Sequence, residues 1–203
     1  MTAPLYPVFL TLNGLSVIIV GGGEVAASKL DGLVATGAKI TVVAPTIHVA
    51  IRARANVALV EREFRPSDLD GARWVVAAPT PEVNLQASAA AEARGLFVNA
   101  VDDVASASAY LGGVIRRGDV TLAISTGGRA PGLAGLLREG LERLLPDLQS
   151  WVELAAKLRA DHKRDKTPMV ERRPLLLRAL VELYAERIDR ETSRETTWEG
   201  AVS

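Results

Sequence analysis

The sequence predicts an α/β protein that opens on a parallel sheet covered by helices on both faces and continues into a smaller unit of different pattern. Three observations carry this. Short, mainly apolar β-type runs alternate with helix-period segments in the first half, as suits strands buried on both faces and joined by crossovers. The first run ends in Gly21-Gly22-Gly23 and passes straight into a helix. After Asp103 the alternation stops: two β-like runs lie close together and only helical pattern follows.

Taken in order, residues 15–20 read as a buried strand and residues 24–35 as a helix with periodic apolar positions. Residues 39–43 form a second strand that stops at Ala44-Pro45, and shorter strands are expected at 57–60, 74–78 and 96–101. Residues 109–115 and 119–125 read as antiparallel partners reversed at Arg116-Arg117-Gly118. In the helix expected over 131–145, Leu133, Leu136, Leu137, Leu141, Leu144 and Leu145 form one apolar stripe, with Arg138, Glu139, Glu142 and Arg143 mostly opposite, and Pro146 ends it. Residues 151–190 are helix-like in two pieces broken near Thr167-Pro168, and the polar tail 191–203 is expected to fray.

With 203 residues, 48% hydrophobic and 24% charged, the chain has globular composition and length for one domain or two small ones. Lysine plus arginine balance aspartate plus glutamate at 24 each, so an anionic ligand must meet locally clustered cations rather than a global field. The absence of cysteine removes disulfides, thiolate metal sites and cysteine nucleophiles and suits a reducing compartment. The opening MTAPLYPVFL has no basic n-region, and no apolar stretch approaches the roughly 20 residues of a membrane span, so a soluble cytoplasmic protein is expected. His48 and His162 are too few and too far apart to suggest a metal site. Lys157, Arg159, His162, Lys163, Arg164, Lys166, Arg172 and Arg173 form a local cationic excess, but Asp161, Asp165 and Glu171 interleave it as on a solvated face. The nine aromatics, three each of Trp, Tyr and Phe, do not interleave it as a nucleic-acid stacking platform.

Gly21-x-Gly23-x-x-Ala26 fits the dinucleotide fingerprint. The first glycine permits the tight turn, the second lets backbone approach a pyrophosphate, and the small third residue lets helix pack on strand. The alternative is a packing turn. The acidic ribose ligand expected about 20 residues on is missing near Val43, which leaves the backbone at Ala44 and Pro45 for that contact and little to choose NAD over NADP. The loop Ala77-Ala78-Pro79-Thr80 is expected at the same sheet edge, with Ala78 bordering the cofactor. Asp102 and Asp103 follow the strand at 96–101; either suits a general base beside a nicotinamide, and either suits an N-cap. Ser125-Thr126-Gly127-Gly128-Arg129 offers hydroxyls, amides and a guanidinium to an anion, or is a turn with capping hydroxyls before Pro131.

In this order, Leu5-Tyr6-Pro7-Val8-Phe9-Leu10, Val20-Gly21-Gly22-Gly23-Glu24-Val25-Ala26, Thr41-Val42-Val43-Ala44-Pro45, Val98-Asn99-Ala100-Val101-Asp102 and Ile124-Ser125-Thr126-Gly127-Gly128 resemble the siroheme synthase family, in particular its precorrin-2 dehydrogenase and sirohydrochlorin ferrochelatase module. The resemblance implies a Rossmann-like NAD-binding domain over 1–111, a dimerisation segment over 112–148 and a helical C-terminal domain over 149–203. It implies NAD-dependent oxidation of precorrin-2 to sirohydrochlorin and, in bifunctional members, insertion of ferrous iron as a substrate. Asp102 matches the family's catalytic aspartate. Gly21, Gly22, Gly23, Glu24, Val25, Ala44 and Pro45 match its cofactor contacts, and Ser125 and Thr126 its serine-glycine loop, beside which Gly127 and Arg129 are assigned to the substrate. No resident metal, nucleic acid or membrane enters this reading; a homodimer does. The chain departs from the family at Thr126, where some members have serine, at Gly112-Gly113, and at Pro79-Thr80-Pro81. The resemblance covers no methyltransferase half, so the expected protein does not make precorrin-2. The competing readings are a dehydrogenase of small hydroxy or amino acids, for which the histidines are poorly placed, and an NAD-sensing module without catalysis.

Overall fold

Strands β1 (Ser16–Val20), β2 (Lys39–Val43), β3 (Val57–Val60), β4 (Trp74–Ala77) and β5 (Val98–Ala100) form one sheet in the order β3-β2-β1-β4-β5. Every neighbouring pair is parallel, with Val20 beside Val43 and Ala77 at the carboxyl ends. The computed structural model describes residues 4–78, 80–101, 103, 105–145 and 147–199. The chain divides into one unit of Met1–Gly112 with Ser125–Pro131 and a second of Gly113–Ile124 with Gly132–Ser203.

The apolar runs suit this sheet because both faces are covered. Alternate residues Val17, Ile19, Val42 and Val76 pack beneath α1 (Glu24–Val34) and α2 (Val49–Arg52), through Ala26, Leu30 and Ile51. Ile18, Val20, Val43 and Val75 face the other way, onto α3 (Pro81–Glu92) and the 3₁₀ turn Pro66–Leu69. The side α3 buries is made of Ala87, Ala90 and Ala91, small residues that bring helix and sheet close. Each fully buried large side chain, such as Ile19, Leu30, Ile51 or Leu69, contributes about 1.5–3 kcal/mol by leaving water. The strand order reverses between β1 and β4, so their carboxyl ends form the crevice in which such sheets hold ligands.

In the second unit β6 (Gly113–Arg117) and β7 (Val120–Ile124) form an antiparallel hairpin. The reversal is Gly118-Asp119, not the expected Arg116-Arg117-Gly118: both arginines are strand residues, paired with Thr121 and Val120. Gly118 supplies the φ of +53° that a two-residue turn needs at its first position, and Gln149 Oε1 accepts from the Asp119 N–H at 3.3 Å. The strand expected from residue 109 begins at Gly113.

Helices α4 (Pro131–Leu144), α5 (Leu148–Arg164) and α6 (Met169–Glu199) follow. The expected break is present between α5 and α6, where Lys166 takes a φ of +54°, and Trp151 and Tyr184 meet edge to face across the two helices at 6.5 Å. Residues 191–199 of the polar tail continue α6, and 200–203 lie outside the described residues. Pro146 lies outside the described residues. On α4 four leucines of the stripe, Leu133, Leu136, Leu137 and Leu144, are exposed, Leu136 to 68% and Leu144 to 69%, while Leu141 and Leu145 are half-buried. The packed side carries Ala134, Arg138 and Glu142: a Cβ on Gly113 would lie 2.9 Å from the Ala134 carbonyl, and Arg117 and Arg138 pair with Glu142.

Candidate cofactor and active site

The glycine loop leaves β1 at the crevice. Gly21 donates its N–H to the Val43 carbonyl at 2.9 Å and then turns with a φ of +113°, a conformation that L side chains disfavour. Gly22 is the position that the fingerprint treats as free, yet its constraint is severe: a Cβ there would lie 2.2 Å from the Thr46 carbonyl and 2.9 Å from the Ala44 side chain. Its carbonyl accepts from the His48 N–H at 2.7 Å, tying the loop to the start of α2. Gly23 is the opposite case, since a Cβ would meet nothing within 4 Å among the described residues. It begins α1 with no side-chain cap, so the N–H groups of the first turn, at Glu24 and Val25, stay open to an anion. Ala26 is fully buried against the sheet, as the third fingerprint position requires.

This arrangement fits a dinucleotide. The turn is held from behind at Gly22 and is bare in front at Gly23, where backbone meets a pyrophosphate. Ala44 lies beside it, but its N–H is spent on the Val60 carbonyl at 3.1 Å and Pro45 has none, so only carbonyl oxygens remain there for ribose hydroxyls. Ala78 joins the same edge through its N–H to the Val20 carbonyl at 2.8 Å. Pro79 lies outside the described residues. His48, which carries no motif signal in the sequence, borders the loop: its Nδ1 accepts from the Ala50 N–H at 3.2 Å while Nε2 stands 4.0 Å from Glu24 Oε1.

At β5, Val101 donates to the Ala77 carbonyl at 2.8 Å, which carries the chain to the carboxyl edge. Asp102 lies outside the described residues. Asp103 is engaged in a turn of its own, accepting from the Ser106 N–H at 3.1 Å, and the Ser106 hydroxyl and amide hold its carboxyl below the usual range. It caps a turn rather than a helix.

The serine-glycine loop belongs to the first unit. Ser125 Oγ accepts from the Gly127 N–H at 3.1 Å and Thr126 Oγ1 from the Ala130 N–H at 3.2 Å, so the capping arrangement weighed from sequence is present. Each hydroxyl still has its proton to donate. Gly127 and Gly128 take φ of +64° and +74° in succession, and Arg129 is exposed with no ion pair among the described residues. Leu5 lies against this loop, with its Cδ1 at 4.0 Å from where a Gly127 Cβ would be. Elsewhere Arg138 is bound to Glu142 at 2.6 Å and Arg164 to Asp161 at 3.0 Å, so neither is free for an anionic ligand. Among the described residues no three or more His, Cys, Asp or Glu side chains are placed to hold a metal, and no helix is long and apolar enough to cross a membrane.

A family model described as "Putative NAD(P)-binding" matches residues 8–113, the span from the end of the opening apolar strip to the start of β6. The chain belongs to that NAD(P)-binding family. A second model, "Sirohaem biosynthesis protein central", matches residues 117–144, across the hairpin turn and α4. The chain is a homologue of the siroheme synthases. It is 41% identical to Siroheme synthase 1 of Aeromonas salmonicida over 86% of this chain and 38% of that one. It is 40% identical to Siroheme synthase 2 of Aeromonas hydrophila over 96% of this chain and 41% of the relative. This NAD(P)-binding chain therefore spans about two fifths of the length of the curated relatives it matches. The solved structure of "SirC, precorrin-2 dehydrogenase" superposes with a TM-score of 0.66 at 26% identity, covering 86% of this chain and 88% of that one.

Proposed function

We propose that this chain catalyses the NAD-dependent oxidation of precorrin-2 to sirohydrochlorin. The observation that carries the proposal is the glycine loop at the β1–β4 switch point, locked behind at Gly22 and bare at Gly23, in a chain that shares the fold of a precorrin-2 dehydrogenase. When bound, NAD supplies the hydride acceptor of the reaction. The first-turn amides at Glu24 and Val25 hold its pyrophosphate, the Ala44 and Pro45 carbonyls accept from its ribose, and Ala78 borders it. Oxidation removes two electrons and two protons' worth of hydrogen as one hydride and one proton. The Asp102 carboxylate takes the proton, since Asp103 is committed to Ser106. The Ser125 and Thr126 hydroxyl protons, the Gly127 amide region and the exposed Arg129 orient the substrate carboxylates. The same aspartate serves insertion of ferrous iron, as a substrate, by deprotonating the macrocycle.

The exposed leucines of α4 support a homodimer through residues 112–148, because a helix that packs Ala134, Arg138 and Glu142 inward and leaves Leu133, Leu136, Leu137 and Leu144 bare offers an apolar surface to a second copy. A cytoplasmic location agrees with the absence of cysteine and the redox chemistry proposed.

The deciding experiment is anaerobic incubation of the purified protein with precorrin-2 and NAD in the absence of metal, followed by visible absorption. Sirohydrochlorin is expected to appear, and Asp102→Ala is expected to lower kcat by about 100-fold or more with NAD affinity retained. Asp103→Ala is expected to keep turnover within severalfold. No spectral change despite measurable NAD binding would replace the dehydrogenase by a sensing module.

A further inference from the structure

Asn99 sits in the middle of β5, opposite Val76, on a sheet face otherwise made of apolar side chains, Trp74 among them. It is 6% exposed, and its Oδ1 finds no hydrogen-bond partner among the described residues. A buried carbonyl oxygen left without a donor lowers stability, and a leucine of nearly the same shape would not carry that cost. The amide must therefore be serving the other end of its side chain. Nδ2 donates to the Ala109 carbonyl at 3.1 Å.

That bond belongs to a clasp. The chain leaves β5 after Ala100 and is back beside it at Ser108, where the Ser108 and Ala109 N–H groups both reach the Val98 carbonyl at 3.0 Å. Ser108 Oγ accepts from the Val98 N–H at 2.8 Å. These bonds close the free edge of β5 and fix both ends of the intervening segment, while Asp103 ties its interior to Ser106. Asp102 belongs to that segment by sequence.

We propose that Asn99 is a positioning residue, closing the β5 clasp through the Ala109 carbonyl so that the chain between Val101 and Ser108, to which Asp102 belongs by sequence, is anchored at both ends. The inference rests on the dehydrogenase reading for its consequence in turnover, and on the hydrogen bonds alone for the clasp. Asn99 acts through the backbone and touches no reacting atom. A preorganised base costs no rearrangement during the reaction, so loosening it lowers kcat more than it changes binding.

The test uses the full chain carrying Asn99→Leu, with Ser108→Ala as a second variant that opens the same clasp from its other side. Amide exchange of peptides spanning 101–107 is expected to quicken about tenfold in both, with β1 and β4 unchanged, and the melting midpoint of Asn99→Leu is expected to stay level or rise. Turnover of precorrin-2 should show kcat down about tenfold with KM and NAD affinity within about twofold. Unchanged exchange in both variants overturns the clasp whatever the turnover. Quickened exchange with wild-type kcat overturns the positioning role and leaves a purely structural contact. A wild-type protein that makes no sirohydrochlorin overturns the dehydrogenase reading, a result the exchange measurement keeps separate.

Discussion

Gly22 and Gly23 are adjacent glycines with opposite surroundings, and one methyl group on each separates folding from cofactor binding. Gly22→Ala drives a Cβ to 2.2 Å from the Thr46 carbonyl, a backbone atom that cannot swing aside. The variant is expected to lose about 2–4 kcal/mol of stability, read as a lowered melting midpoint. Gly23→Ala meets open space at a φ of −83° that alanine adopts freely, so the melt should shift by less than about 1 kcal/mol. The methyl instead occupies the bare front of the loop, and NAD affinity in a titration should fall about tenfold or more. Equal affinity in Gly23→Ala and wild type would place the dinucleotide elsewhere. The fingerprint made Gly21, Gly23 and Ala26 legible because their constraints are local to one turn. Gly22 reads as an unspecified position because its neighbours, Thr46 and Ile47, are brought to it by the second crossover. The pair Asp102-Asp103 was ambiguous for the same reason: sequence supplies two carboxylates, and only the folded turn shows that Asp103 is committed to Ser106.

Among the elements, the parallel strands were the most readable. They are mainly apolar and covered on both faces, and such runs have few alternatives in a chain that also breaks at glycine and proline. The 3₁₀ turn Pro66–Leu69 had no such signal, because it is held by side chains rather than by a period. Arg62 grips Asp68 with two bonds, at 2.8 and 2.5 Å, and the same carboxylate accepts from the Arg65 N–H at 2.8 Å. This presents Leu69, which is fully buried, to the sheet. The bond from Arg62, joined by the Arg65 amide, holds the Asp68 carboxyl below its ordinary value of 3.8. A carboxyl lowered in the folded state adds stability that is present above the unfolded value and drains away as pH falls through the lower native one. Asp68→Ala is therefore expected to cost about 1–3 kcal/mol at neutral pH in a denaturant titration, with the gap from wild type narrowing below about pH 4. A gap that persists at acid pH would mean that Asp68 acts by packing rather than by charge.

At the scale of the whole molecule, a net charge of zero conceals an uneven surface, and α4 shows it best. Its leucine period made a helix legible but not the side that packs. Periodicity identifies an apolar stripe and is silent on whether the same chain or another covers it. The structure turns Ala134, Arg138 and Glu142 toward the β6–β7 hairpin and leaves Leu133, Leu136, Leu137 and Leu144 exposed. Burying those leucines against a second copy would contribute several times the roughly 1.5–3 kcal/mol of one side chain, enough to hold a dimer at micromolar concentration. Sedimentation of the wild-type protein is expected to give twice the 21.6 kDa of one chain. With Leu136→Glu and Leu144→Glu together, the expected mass is that of one chain, because two carboxylates cannot be carried into an apolar interface unpaired. NAD affinity should stay within about twofold, since the glycine loop and its supports at Thr46 and His48 all lie in the other unit. A double variant that keeps the doubled mass would remove α4 from the interface, and a wild-type protein of single mass would remove the dimer.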